Sequence, residues 1–186
     1  MRMGRFGNES EEEVWLSGLM DELGERLTKL SFSYLNDWGK AQEVVQDAFF
    51  ICYTKRRQVL ELDSVEAWLY RVTVNRCKDV LRTSWFKRVI VSNDLFHYQK
   101  SEQPSPESAV VAKSDNDKLV QLVMGLPIKY KEVILLFYYN DLSVGEISYV
   151  LKSNPNTVKT RLKRGREALM KNMERSDFLE RSVDEY

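Results

Sequence analysis

From Trp15 to about Arg88 the chain has no proline, and its apolar residues return at intervals of three and four. Leu16, Leu19, Met20, Leu23, Leu27 and Leu30 form one series, and Val44, Val45, Ala48, Phe49 and Cys52 another. Such spacing follows the 3.6-residue turn of an α-helix and lines the residues up on one face, whereas a half-buried strand would alternate every second residue. The period breaks at "LNDWGKA" (35–41), through Gly39, and at "LELDSVEA" (60–67), where Asp63 or Ser64 can cap a helix starting at Val65. It resumes at Asp117 with Leu119, Val120, Leu122, Val123 and Leu126, stops at Pro127, and continues to about Met173. Between Val89 and about Lys113 lies "SNDLFHYQKSEQPSPESAV", with two of the four prolines and many small polar residues, the texture of a linker. "RVIVS" (88–92) is β-branched but isolated, and one strand makes no sheet.

The expected fold is therefore all-α, with two small helical domains joined by a flexible linker. The expected boundaries are a flexible acidic extension over 1–14, a first domain over 15–88, a linker over 89–115, a second domain over 116–175 and a tail over 176–186. A length of 186 residues accommodates two small domains. With 43% hydrophobic and 30% charged residues the chain can form a core and stay in water. No window approaches the roughly 20 apolar residues that span a bilayer, and no apolar run follows the first arginines to make a signal peptide, so the expected location is the cytoplasm. Cys52, Cys77 and the single His97 cannot complete a four-ligand zinc site, so no metal or cofactor is expected and both cysteines read as buried apolar residues. With one histidine, no glycine-rich phosphate loop after a strand and no paired carboxylates on a shared helix face, an enzyme acting on a small molecule is not expected.

The formal net charge is zero, yet "SNPNTVKTRLKRGREALMKNM" (153–173) gathers Lys159, Arg161, Lys163, Arg164, Arg166 and Lys171. Asn154 before Pro155 fits a helix start, since the Asn side chain accepts from an orphan N–H and proline at the first position loses no hydrogen bond. Val158, Leu162, Gly165, Leu169 and Met173 then share one face, which leaves the cations on the others. Upstream, Ser143 and Glu146 make a capping box, Ile147, Val150 and Leu151 give a short amphipathic helix, and "KSNPN" a tight connection. This is the pattern of a helix-turn-helix, whose second helix enters the major groove. Asn156, Thr157, Lys159, Thr160 and Arg161 would face bases, and Lys163, Arg164 and Arg166 mostly the phosphate backbone. A second basic helix runs over 66–88, where Arg71, Asn75, Lys78 and Arg82 form a stripe at spacings of four, three and four. Trp68, Tyr70, Trp85 and Phe86 interleave with these cations, a combination suited to opened or single-stranded nucleic acid, although Trp68 and Tyr70 equally suit a core.

Four stretches, in order, resemble the extracytoplasmic-function group (group IV) of bacterial RNA polymerase sigma factors. They are "AQEVVQDAFF", "AWLYRVTVNRCKDVLR", "LPIKYKEVILLFYYNDLSVGEISYVL" and "NTVKTRLKRGREAL". The resemblance implies a sigma factor that binds core RNA polymerase and directs promoter recognition, DNA opening and initiation at a specific regulon. It implies contact with the clamp helices of the largest subunit through Gln46, Asp47, Phe49 and Phe50, although Phe49 equally suits the core, and with the flap of the second-largest subunit. It further implies that Leu62, Asp63 and Ser64, with Arg71, Asn75, Lys78 and Arg82, serve the minus-ten element. The minus-thirty-five element would be read by Asn156, Thr157, Lys159, Thr160, Arg161, Lys163, Arg164 and Arg166, and an anti-sigma factor is an implied partner beside promoter DNA. Two positions depart from the family pattern: Asn156 stands where glycine is usual, and Lys131 where arginine is usual. The rival readings are a stand-alone helix-turn-helix regulator, which would bind duplex DNA without polymerase, and a helical interaction protein that never touches nucleic acid.

Overall fold

Helices and the short turns between them make up the described residues, and the reason is local at nearly every boundary. The computed structural model describes residues 9–91 and 115–183, with side chains over 11–83 and 118–175. Its elements are α1 (Glu9–Leu35), α2 (Trp38–Thr54), α3 (Arg56–Val59), α4 (Val65–Val91), α5 (Asp115–Met124), α6 (Ile128–Ile134), a π-helical turn (Leu135–Tyr139), α7 (Val144–Leu151) and α8 (Pro155–Val183). Among the described residues there is no strand, and "RVIV" is the end of α4.

The break between α1 and α2 falls at Asn36, not at Gly39. Asn36 takes φ 51°, a left-handed conformation that asparagine tolerates better than most residues. Asp37 then caps α2 by accepting the Lys40 N–H at 3.0 Å, and Gly39 is the second residue of the helix. Phe32 and Trp38 stack across this corner with ring centroids 4.4 Å apart. α1, α2 and α4 pack against one another as a three-helix body around Leu23, Leu27, Leu30, Val44, Val45, Phe49, Cys52, Val59, Leu69, Val74 and Cys77, all buried. Each such side chain contributes about 1.5–3 kcal/mol for the aliphatic members.

The second body is built by α6, α7 and α8 around Val133, Ile134, Leu136, Leu142, Ile147, Val150, Val158 and Leu162, with α5 against α6 and α8. The two bodies touch along a seam in which α4 lies against α7. Two buried hydrogen bonds cross it: Tyr34 Oη donates to Glu132 Oε2 at 2.9 Å, and Tyr70 Oη donates to Asn140 Oδ1 at 2.9 Å. The chain is already helical from Glu9, within the stretch expected as a flexible lead-in, and Glu12 pairs with Arg56. α8 likewise runs to Val183, into the expected tail. Most of the expected linker, 92–114, and His97 with it lie outside the described residues.

Candidate nucleic-acid interface

The turn between α7 and α8 is fixed by its own side chains. Ser143 Oγ accepts the Glu146 N–H at 3.2 Å while Glu146 Oε2 accepts the Ser143 N–H at 2.8 Å, completing the capping box. Lys152 ends α7 in the left-handed region at φ 50°, which lets the Ser153 N–H reach the Ser148 carbonyl at 3.0 Å. Asn154 Oδ1 accepts the Asn156 N–H at 2.9 Å and α8 starts at Pro155. Val158, Leu162 and Gly165 are buried on one face. Met173, expected on that same face, is exposed, because α8 outruns the body that covers its first turns.

The opposite face carries the polar residues outward. Asn156, Thr157, Lys159, Thr160, Lys163, Arg164 and Arg166 are exposed. Thr160 donates its hydroxyl proton to the Asn156 carbonyl at 2.8 Å, so its oxygen lone pairs point away from the helix. Arg166 NH1 lies 3.4 Å from Tyr138 Oη, and Lys163 lies 4.0 Å from Glu167, an exposed pair worth little. Arg161 differs: it is half-buried and bonds Glu132 Oε1 at 3.2 Å. A groove of about 380 Å³ is lined by Asn156, Thr157, Thr160, Arg161 and Arg164 together with Lys129 and Tyr130. The sequence reading missed Lys129, whose signal was a cation two residues after Pro127, at the start of the helix that α8 packs on. Lys131 is turned inward instead: Nζ donates to the Met124 carbonyl at 3.4 Å, and burial lowers its pKa.

The stripe on α4 is largely occupied by the second body. The Arg71 guanidinium lies over the Tyr149 ring, 4.4 Å from its centroid. Lys78 Nζ bonds Glu132 Oε2 at 3.0 Å and Asn75 is half-buried, whereas Arg82 is exposed and 3.1 Å from Asp79. In the loop before α4, Leu62 and Asp63 are exposed, and Ser64 Oγ accepts the Ala67 N–H at 3.0 Å, which makes Ser64 the helix cap. Tyr70 is fully buried, and burial raises the pKa of its hydroxyl, so it offers no ring to a base. Trp68 is half-buried against the core. The side chains of Trp85 and Phe86 lie outside the described residues.

On α2, Gln46 and Asp47 are exposed and Phe50 is 68% exposed. Phe49 is 4% exposed and cannot make the surface contact expected of it. It shares a face with Val45, Ala48 and Cys52, and one further residue turns Phe50 by about 100° into solvent. Asp47 pairs with Arg76 of α4. The residue that sequence reasoning missed entirely is Glu132, 5% exposed, whose carboxylate collects Tyr34, Lys78 and Arg161. Among the described residues no helix is long and apolar enough to cross a membrane.

Two families match this chain: Sigma-70 region 2 over residues 19–87 and Sigma-70, region 4 over residues 116–169. The ECF RNA polymerase sigma factor SigW of Bacillus subtilis (strain 168) is 30% identical over 162 residues, which span 83% of this chain and 87% of the relative. RNA polymerase sigma factor SigV of the same organism is 27% identical over 150 residues, spanning 81% and 86%. Two solved structures share the fold. CnrH in complex with the cytosolic domain of CnrY is 20% identical, with a TM-score of 0.60 over 86% of this chain and 87% of that one. The sigma factor RpoE in complex with the anti-sigma factor NepR from Bartonella quintana is 19% identical, with a TM-score of 0.64 over 84% and 97%. With both regions matched in order, and a relative at this identity covered along most of its length, the chain belongs to the ECF RNA polymerase sigma factors, promoter-recognising proteins that work with RNA polymerase.

Proposed function

We propose that this chain is a group IV sigma factor of the cytoplasm, not an enzyme, and that its two helical bodies divide the promoter between them. Residues 116–175 read the minus-thirty-five element and residues 15–88 engage core polymerase and the minus-ten element. The observation that carries this reading is α8: a helix whose polar N-terminal residues line a groove while exposed cations flank it. In this reading Asn156, Thr157 and Thr160 face base edges with Lys159 and Arg161, and Lys163, Arg164, Arg166 and Lys129 hold phosphates. Four phosphates neutralised would give log K a slope of about −3.6 against log salt. Leu62 and Asp63 present the loop that captures an unstacked base, with Ser64 fixing the loop's exit. Arg71, Asn75, Lys78 and Arg82 then follow the opened strand.

Gln46, Asp47 and Phe50 are the contact with the clamp helices of the largest subunit, and the second body meets the flap of the second-largest. An anti-sigma factor is the further partner, supported by the similar fold of the sigma factor RpoE, which was solved in complex with the anti-sigma factor NepR. Zero net charge fits a protein whose own DNA affinity is low and which depends on polymerase for the rest. The test is run-off transcription from a promoter library by bacterial core polymerase, with and without the chain. Transcripts sharing a two-part upstream sequence are expected. If polymerase gains nothing while the protein alone shifts duplex DNA, the stand-alone regulator is the better reading.

A further inference from the structure

The first turns of α1, residues 9–18, precede the stretch that matches Sigma-70 region 2, yet they are folded against it. Trp15 and Leu16 are half-buried against the core of the first body, and the Glu12 carboxylate pairs with Arg56, the first residue of α3. The Glu12 and Arg56 side chains are 16% and 25% exposed, so salt and water screen this pair less than an ion pair standing clear in solvent. Arg56 is held from two further directions: NH1 donates to the Tyr53 carbonyl at 3.1 Å, and the guanidinium lies over the Tyr53 ring, 4.7 Å from its centroid. Lys55, Arg56 and Arg57 are three consecutive cations, and among the described residues Arg56 alone of the three is ion-paired. Glu12 is the carboxylate that answers the cluster.

This anchor matters because α3 cannot hold itself. Its four residues make a single turn, too short to be stable alone, and its N-cap, Lys55, makes no side-chain capping bond. Its fixed points are Val59, 1% exposed in the core, and Arg56. The chain that leaves α3 hangs from it. The Leu60 N–H donates to the Arg56 carbonyl at 2.9 Å, the Glu61 N–H to the Gln58 carbonyl at 3.3 Å and the Leu62 N–H to the Val59 carbonyl at 3.1 Å. Ser64 fixes the far end as the cap of α4. Leu62 and Asp63, both exposed, are thus slung between two fixed points, and the nearer one is tied down by a residue of the N-terminal turns.

We propose that Glu12 is a positioning residue for the minus-ten element: the first turns of α1 brace α3 through Arg56 and so set where the loop over 60–64 presents Leu62 and Asp63. The proposal rests on the promoter-binding reading above, in which that loop captures an unstacked base, and it adds a segment outside the matched region to the selection of that base. Glu12 is no part of the core shared by α1, α2 and α4, so its charge can be removed with the body still folded. Without the brace the loop takes up several positions, and right and wrong bases are bound more nearly alike.

The experiment uses the full chain and compares Glu12→Gln, which keeps the shape of the side chain and removes its charge, with Glu13→Gln, which makes the same change at the exposed neighbouring position. Run-off transcription by core polymerase is measured on the selected promoter, on promoters with single substitutions at the captured base, and on one substituted in the distal element. A mismatch in a specific protein–DNA site typically costs about 5- to 150-fold, and Glu12→Gln should lose about threefold or more of that discrimination at the captured base. Discrimination at the distal element should be unchanged, and Glu13→Gln should behave as the parent. Hydrogen exchange of the free chain gives a second reading. The Leu60, Glu61 and Leu62 amides should exchange about threefold or more faster in Glu12→Gln, while amides within α2 and α4 keep their parent rates. Unchanged discrimination at the captured base, an equal loss at both elements, the same loss in Glu13→Gln, or unchanged exchange at the three amides each overturns the proposal. A Glu12→Gln chain that loses its helical circular dichroism overturns it too, because the pair would then hold the fold and not the loop. Failure of the promoter reading shows separately, as absence of promoter-directed transcript from core polymerase with the parent chain, whatever the amides report.

Discussion

Replacing Gly165 with alanine sets two effects of known size against each other. Alanine in a helix interior is favoured over glycine by about 1 kcal/mol. On that ground alone Gly165→Ala would stabilise the protein. In the structure, however, α8 crosses α6 at Gly165, and a methyl group there would stand 3.1 Å from Ile134 Cγ1, 3.3 Å from Ile134 Cδ1 and 3.5 Å from Tyr130 Cβ. Ile134 is 4% exposed and β-branched, so its χ1 is held to one rotamer in a helix and Cγ1 cannot swing aside cheaply. Overpacking of this kind costs about 1–3 kcal/mol. The net expectation is a loss of about 0–2 kcal/mol, measured by urea unfolding. In an Ile134→Ala background the obstructing branch is gone, and the same Gly165→Ala change should stabilise by up to about 1 kcal/mol. The sign reversal is the signature, with a coupling energy of about 1–3 kcal/mol between the two positions. Equal stabilisation in both backgrounds would refute the close approach that seats α8.

Ser143→Ala removes one half of the capping box and should cost about 1 kcal/mol in thermal or urea unfolding, with Ser143→Thr recovering most of it; no loss would mean the box does not hold α7. Phe50→Ala, at an exposed position, should leave stability within about 0.5 kcal/mol and weaken binding to core polymerase in a competition assay, whereas the buried Phe49→Ala should cost about 3–5 kcal/mol. The reverse pattern would exchange the roles of the two rings. Cys52 and Cys77 are fully buried and burial pushes their thiols up to about 11, so neither should be alkylated at pH 8 faster than the protein unfolds. Mass spectrometry of a short iodoacetamide pulse checks this, and rapid labelling of either thiol contradicts the packing of α2 against α4.

What was legible in the sequence was what local chemistry decides. The three-and-four spacing of Leu23, Leu27 and Leu30 needs only helical geometry, and Ser143 with Glu146 or Asn154 with Asn156 close their hydrogen bonds within three residues. Position around the helix was harder. Phe49 and Phe50 are neighbours in sequence, and the rotation of a single residue decides between core and solvent. Gly39 drew attention as a helix breaker, but Asn36 makes the turn, since asparagine also accepts a positive φ. The seam left almost no local trace. Glu132 lies between Lys131 and Val133 with nothing to mark it as buried, and the partners that make its burial tolerable stand 98 residues away at Tyr34 and 29 away at Arg161. Tyr70 likewise belongs to the core because Asn140, 70 residues further on, receives its hydroxyl. Such contacts depend on how two bodies dock, which helical periodicity does not encode.

The central claim is that α8 and α4 read different parts of one promoter, and crossing variants with promoter changes tests it most directly. Transcription by core polymerase is measured for the parent chain, for Lys159→Ala/Lys163→Ala on α8 and for Asn75→Ala/Arg82→Ala on α4. Each is tested on a selected promoter, on one scrambled in its distal element and on one scrambled in its proximal element. The account predicts that the α8 variant no longer distinguishes the intact from the distally scrambled promoter while still requiring the proximal element. The α4 variant should show the converse, with weakened strand opening by permanganate footprinting. Undiminished discrimination at the distal element by the α8 variant would contradict the assignment of that helix as the reader.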